Sequence, residues 1–114
     1  MDCKEIAIFS AKMLDEKKAQ DVMVIDIGEQ SSFADYFVLA TGSTERQISA
    51  LRDDIESKLA KEGLLVKSIE GKQTSGWILM DYGDVIVNIL TPEMRERYSI
   101  EKVWGDCKVI TFDE

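Results

Sequence analysis

Histidine is missing from the sequence altogether. A histidine general base, a Ser-His-Asp or Cys-His arrangement and every imidazole metal ligand are thereby excluded. Cysteine is scarce: Cys3 and Cys107 stand alone near the two ends, too few for a structural zinc site and too sparse for a disulfide framework. They read as reduced thiols. Proline occurs once and glycine seven times, so neither a low-complexity linker nor a disordered chain fits the composition. No apolar run approaches the roughly 18 residues of a membrane span. The first residues, Met1-Asp2-Cys3-Lys4-Glu5, resemble neither a signal peptide nor an Arg-rich transit segment, and a cytoplasmic location is expected.

Positive charge is also in deficit. Fourteen Lys and Arg face 22 Asp and Glu, a net charge of −8. Autonomous binding to DNA or RNA rests on cations that neutralise phosphates, so it is not expected here. An acidic surface suits a basic protein partner, although it also serves plain solubility. What the chain does have is apolar area: 45% of its 114 residues are hydrophobic, enough for a core without disulfides or metal. The length points to a single domain covering residues 1–114.

Ile6, Phe9, Met13 and Leu14 recur at helical spacing between Asp2 and Lys18, predicting a first helix. Short β-branched runs at 22–27 and 36–41 predict two buried strands. Gly42 breaks the second, and Thr44 with Gln47 forms a capping-box pattern ahead of Ile48, Leu51, Ile55 and Leu59, a helix that ends at Gly63. Three strands follow at 64–70, 77–81 and 85–90, with Asp-Tyr-Gly-Asp at 81–84 as a tight turn. This middle part of the sheet is expected to be antiparallel. Thr91-Pro92-Glu93 starts a short helix to about Tyr98, Ser99 caps a further turn through Trp104, and 108–112 is a terminal edge strand. The fold class is α/β (α+β): one mixed sheet of about five strands flanked by helices.

Three groups of residues could carry chemistry. Thr-Gly-Ser-Thr at 41–44 could offer backbone N–H groups to a phosphate. It lacks the further glycines and the lysine of a P-loop, and no carboxylate pair follows on the next strand; it reads as a helix cap. Asp81 and Asp84 could hold a hard cation but flank a turn, where aspartate is common for its own reasons. Glu70, Trp77, Met80, Asp81, Tyr82 and Asp84 crowd one hairpin, with Arg95, Tyr98 and Trp104 shortly after. Aromatics beside acids fit the centre of a protein interface, and single aromatics at strand positions fit a core equally well.

The segments at 31–43 (SSFADYFVLATGS), 70–90 (EGKQTSGWILMDYGDVIVNIL) and 95–104 (RERYSIEKVW) together resemble the ribosomal silencing factor (Iojap-like) family. The likeness runs from Ile6 to Trp104. Asn88 departs from it, because family members usually carry histidine after the Val-x-Val run. The resemblance implies a fold similar to nucleotidyltransferases without their catalytic carboxylates, and a binding protein rather than an enzyme. It implies a partner as well: the large ribosomal subunit, bound through its ribosomal protein fourteen on the face that meets the small subunit, so that subunit joining is blocked when nutrients are scarce. Members are often homodimers in isolation. Carried onto this chain, the resemblance places a partner surface on the Glu70–Asp84 hairpin, with Trp77 as apolar anchor, Asp81 and Asp84 as partners for basic groups, Met80 and Tyr82 in the same hairpin, and Arg95 and Tyr98 beside it. No catalytic residue, cofactor or metal is expected. The alternatives are a nucleotidyltransferase using Ser43, acidic residues and a divalent metal, or a purely structural dimerisation module.

Overall fold

The computed structural model describes residues 1–112. Its elements are α1 (Cys3–Glu16), β1 (Gln20–Asp26), β2 (Tyr36–Thr41), α2 (Glu45–Lys61), β3 (Ser68–Glu70), a 3-10 turn (Gln73–Ser75), β4 (Trp77–Asp81), β5 (Val85–Leu90), α3 (Pro92–Tyr98), α4 (Ile100–Val103) and β6 (Lys108–Ile110). The order matches the sequence expectation. The six strands form one mixed sheet in the order β3-β4-β5-β2-β1-β6.

Both long helices start at side-chain caps. Asp2 accepts from the Glu5 amide at 2.8 Å, and the Glu5 carboxylate accepts from the Asp2 amide at 3.1 Å, a reciprocal box that the D-x-x-E at 2–5 encodes. At α2, Thr44 accepts from the Gln47 amide at 3.0 Å. The Gln47 side chain does not close the box on Thr44 but accepts from the Ser43 amide and hydroxyl at 2.6 and 2.7 Å. The Thr-Gly-Ser-Thr segment is thus a helix cap, as its sequence suggested.

The strands at 68–90 pair antiparallel as expected, β3 with β4 and β4 with β5, while the central pair of the whole sheet, β2 with β5, is parallel, from Tyr36 opposite Val85 to Thr41 opposite Leu90. A parallel pair needs a crossover, and α2 followed by β3 and β4 supplies it. The strand expected over 64–70 shrinks to β3. Ser68 already lies opposite Asp81, where β4 ends, so residues 64–67 have no strand to pair with. Ser99 holds the N-cap position of α4 as expected, but in the left-handed region (φ 43°) and without a side-chain cap, its hydroxyl donating to the Glu96 carbonyl at 3.0 Å.

The two faces of the sheet are covered unequally. On one, α1 and α2 lay Ile6, Ala11, Leu14, Ile48, Leu51, Ile55 and Leu59 against Val24, Val38, Ala40, Ile78, Met80, Val87 and Ile89, all of them buried. Removing this apolar area from water is the main stabilising term of the fold. On the other face only α3, α4 and their flanking loops cover Ile25, Phe37, Leu39, Ile86 and Leu90. Seven-residue and four-residue helices cannot shield a six-stranded sheet, so Trp77, Leu79, Met94 and Trp104 are left only partly buried there.

Candidate functional site

Alternation along β4 divides the hairpin between the two faces. Met80 shares its parity with Ile78 and is 0% exposed in the core beneath the long helices. It is therefore a core residue and not a contact for a partner, which corrects the sequence expectation. Tyr82 also packs toward the helix-covered core, and its hydroxyl is buried without a hydrogen-bond partner among the described residues. Burial, reinforced by the nearby Glu56 carboxylate, pushes its pKa up to about 12. Tyr82 as a whole remains partly exposed.

Asp81 and Asp84 form the turn. The Asp81 carboxylate accepts from the Gly83 amide at 2.7 Å, and Gly83 takes φ 94°, a conformation that costs glycine nothing. Asp81 is therefore half-committed to holding the turn. Asp84 is exposed, and its carbonyl accepts from the amides of Asp35 and Tyr36 at 2.8 and 3.0 Å. The described residues contain no group of three or more acidic or thiol side chains placed to hold a metal.

Arg95 is the second correction. It is 7% exposed, and each of its three guanidinium nitrogens has a partner. Nε donates to the Glu101 carboxylate at 3.2 and 3.3 Å, Nη1 to the Thr41 hydroxyl at 3.0 Å and Nη2 to the Met23 sulfur at 3.4 Å. A buried arginine with these partners ties α3 to the sheet, and its burial takes it out of the expected contact set.

Trp77 and Tyr98 come together. Their ring centroids are 5.1 Å apart at an angle of 47°, within the range of favourable aromatic pairs. Tyr98 is 48% exposed, and the Arg97 guanidinium lies 5.9 Å above its ring. The Trp77 indole is anchored from below, donating to Asn88 Oδ1 at 3.0 Å. Asn88 is 0% exposed and its amide nitrogen finds no partner among the described residues. Beside the indole opens a cleft of about 290 Å³ lined by Glu70, Gly71, Ser75, Trp77, Leu79 and Met94.

The wall of this cleft depends on two glycines. Gly71 has φ 84°, and a side chain there would run into the Trp77 carbonyl. Gly76 has φ 78°, and a Cβ would come within 2.8 Å of Met94 and 2.9 Å of the Thr91 hydroxyl. Between them the Ser75 hydroxyl donates to the Lys72 carbonyl at 2.7 Å and accepts from its amide at 3.1 Å. These supports escaped the sequence reading, although two glycines within the six residues before the tryptophan are a legible signal of close backbone approach.

The arrangement offers no catalytic pair. It offers an apolar cleft and a half-exposed aromatic pair, edged by the Glu70 carboxylate, on the thinly covered face of the sheet. The family model described as "Ribosomal silencing factor during starvation" matches residues 1–114. The chain belongs to this family. The ribosomal silencing factor of Bacillus subtilis is 34% identical over 113 residues, spanning 99% of this chain and 96% of that one. A mouse relative, named for mitochondrial assembly of the ribosomal large subunit, is 30% identical over 96 residues, spanning 81% of this chain and 42% of its own length. A crystal structure from Chromobacterium violaceum superposes with a TM-score of 0.88 at 31% identity, covering 100% of this chain and 94% of that one. One from Bacillus halodurans gives 0.81 at 27% identity, covering 95% and 98%. Family membership makes this fold the scaffold of a ribosomal regulator, and Trp77, Tyr98 and Glu70 are the expected contact residues that the geometry gathers around one cleft.

Proposed function

We propose that this protein docks on the large ribosomal subunit through ribosomal protein fourteen, on the face that meets the small subunit, and so keeps the two subunits apart when nutrients are limiting. The observation that carries this reading is the Trp77–Tyr98 pair, two large aromatics in contact and only partly covered, beside an apolar cleft with Glu70 at its rim. Tryptophan and tyrosine supply interface affinity at low entropic cost. A net charge of −8 draws the chain toward a basic protein surface on the ribosome. The mechanism is steric: a 12.9 kDa body held at the joining surface occupies space that the small subunit needs, and no bond is made or broken. Asp84, exposed at the tip of the β4–β5 turn, meets basic groups of the partner, with Asp81 behind it. The site of action is the cytoplasm, and in the absence of ribosomes two copies pair as a homodimer.

The test is sedimentation of the purified protein with separated subunits. Co-sedimentation with the large subunit alone, together with fewer complete ribosomes in a joining assay, is the expected result. Equal association with both subunits, or with neither, sinks the proposal. Charges at a partly exposed interface are screened over about 8 Å at physiological ionic strength, so association slows as salt is added.

A further inference from the structure

The geometry points to Arg95 and Glu101 as a clasp that positions Tyr98 on Trp77 and thereby builds the docking surface; this inference rests on the function proposed above. In a continuous α-helix, residues six apart lie roughly 9 Å along the axis and about 120° around it, too far apart for an ion pair. Here Arg95 Nε and the Glu101 carboxylate meet at 3.2 Å. What brings them together is the break between α3 and α4. Ser99 adopts φ 43° and ψ 50°, a left-handed conformation that a residue with a side chain adopts only when its surroundings impose it. The Ser99 amide still donates to the Arg95 carbonyl at 3.0 Å, and the Lys102 amide to the Ser99 carbonyl at 2.9 Å, so the chain turns back on itself without losing its backbone hydrogen bonds.

Neither helix is long enough to persist alone: α3 has seven residues and α4 has four, well below the length at which isolated helices hold in water. Their position has to come from side chains. Arg95 supplies it in three directions at once: to α4 through Glu101, to the end of β2 through Thr41, and to β1 through Met23. Tyr98 is the last residue of α3 and lies between the two ends of the clasp in sequence. Its ring reaches Trp77 because the break at Ser99 is held where it is. Glu101 is partly exposed, with 32% of its side-chain surface accessible against 8% for Arg95. Removing the carboxylate therefore opens the clasp from its solvent side, and the core beneath α1 and α2 is untouched.

The experiment compares Glu101→Ala, Glu101→Gln and Arg95→Lys with the parent protein. Three readouts are taken: nuclear Overhauser contacts between the Trp77 and Tyr98 rings, thermal melting, and affinity for the isolated large subunit. Glu101→Ala is expected to lose the ring contacts and to bind about tenfold more weakly, as interface aromatics do when they lose their support. Its cooperative melt persists. Glu101→Gln keeps an oxygen that accepts from Arg95 Nε, so it restores the ring contacts and brings affinity back to within about threefold of the parent. Arg95→Lys does not, because one ammonium cannot span the carboxylate, Thr41 and Met23 together. Unchanged ring contacts in Glu101→Ala overturn the clasp. So does a loss of affinity that only tracks a falling melting temperature and that Glu101→Gln fails to rescue. If the parent itself ignores the large subunit, the proposed function falls, and the ring contacts still decide whether the clasp exists.

Discussion

Asn88 sits at the centre of β5, level with Leu79 on one side and Leu39 on the other, and the only hydrogen bond of its side chain among the described residues is the one it accepts from the Trp77 indole at 3.0 Å. Replacing Trp77 with Phe keeps an aromatic ring against Tyr98 but leaves a buried amide with no partner at either end. An orphaned buried polar group costs about 1–3 kcal/mol, which is the destabilisation expected of Trp77→Phe. Asn88→Val removes the amide instead. It loses a hydrogen bond worth about 1 kcal/mol, and it relieves an unpartnered N–H₂ whose burial costs about 1–3 kcal/mol. The half-buried indole can turn to water, and a β-branched residue suits the strand. Asn88→Val is thus neutral or stabilising by up to about 2 kcal/mol, and in its presence Trp77→Phe becomes nearly neutral. Urea unfolding of the four proteins, compared at a common denaturant dependence, closes a double-mutant cycle with an expected coupling of about 1–3 kcal/mol. Additivity within about 0.5 kcal/mol would show that the indole and the amide do not depend on each other, and the account of how Trp77 is held would be wrong.

Trp77→Ala, in contrast, removes the aromatic surface itself; large-subunit affinity should fall by about thirtyfold, the equivalent of about 2 kcal/mol, measured by a binding isotherm on protein shown to be folded. Gly71→Ala should destabilise by more than about 1 kcal/mol and loosen the Trp77 wall, because φ 84° disfavours any side chain and the added Cβ meets the Trp77 carbonyl; a melt equal to the parent's rejects this. Tyr82 stays protonated to about pH 12 in the folded state against an ordinary value of 10, so the folded form holds the extra proton between those values. Stability is full below pH 10 and is lost as pH rises toward 12, a loss that Tyr82→Phe abolishes. Asp84→Lys should weaken large-subunit binding at low salt without affecting folding, whereas Asp81→Lys also loses the bond to the Gly83 amide and so lowers the melting temperature.

Periodicity alone located the long helices. Ile48, Leu51, Ile55 and Leu59 recur on one face of α2, and all four are buried. The β-branched runs found β2 and β5 to the residue, because β5 is buried throughout and β2 at every residue after Tyr36, so both read as nearly continuous apolar stretches. The pairing of those two strands was not legible, since it joins residues far apart in sequence through backbone groups that every residue shares. The contents of the site were half legible. Parity along 77–81 separates Met80 from Trp77 and assigns Met80 to the core face with Ile78. Nothing local marks Arg95 as buried: it lies on a charged heptapeptide, Pro-Glu-Met-Arg-Glu-Arg-Tyr, and its partners Thr41 and Met23 come from strands early in the chain.

The central parallel pair also dictates an order of events during synthesis. While the chain emerges, β2 can pair with β1 as soon as both are made, but its other edge stays bare until β5 arrives, after α2, β3 and β4 have been added. During that interval Phe37, Val38 and Leu39 form an open apolar strand edge of the kind that recruits other chains. Closing the gap fixes a long loop before most of the sheet can form, so the β2–β5 seam is expected to set the folding rate.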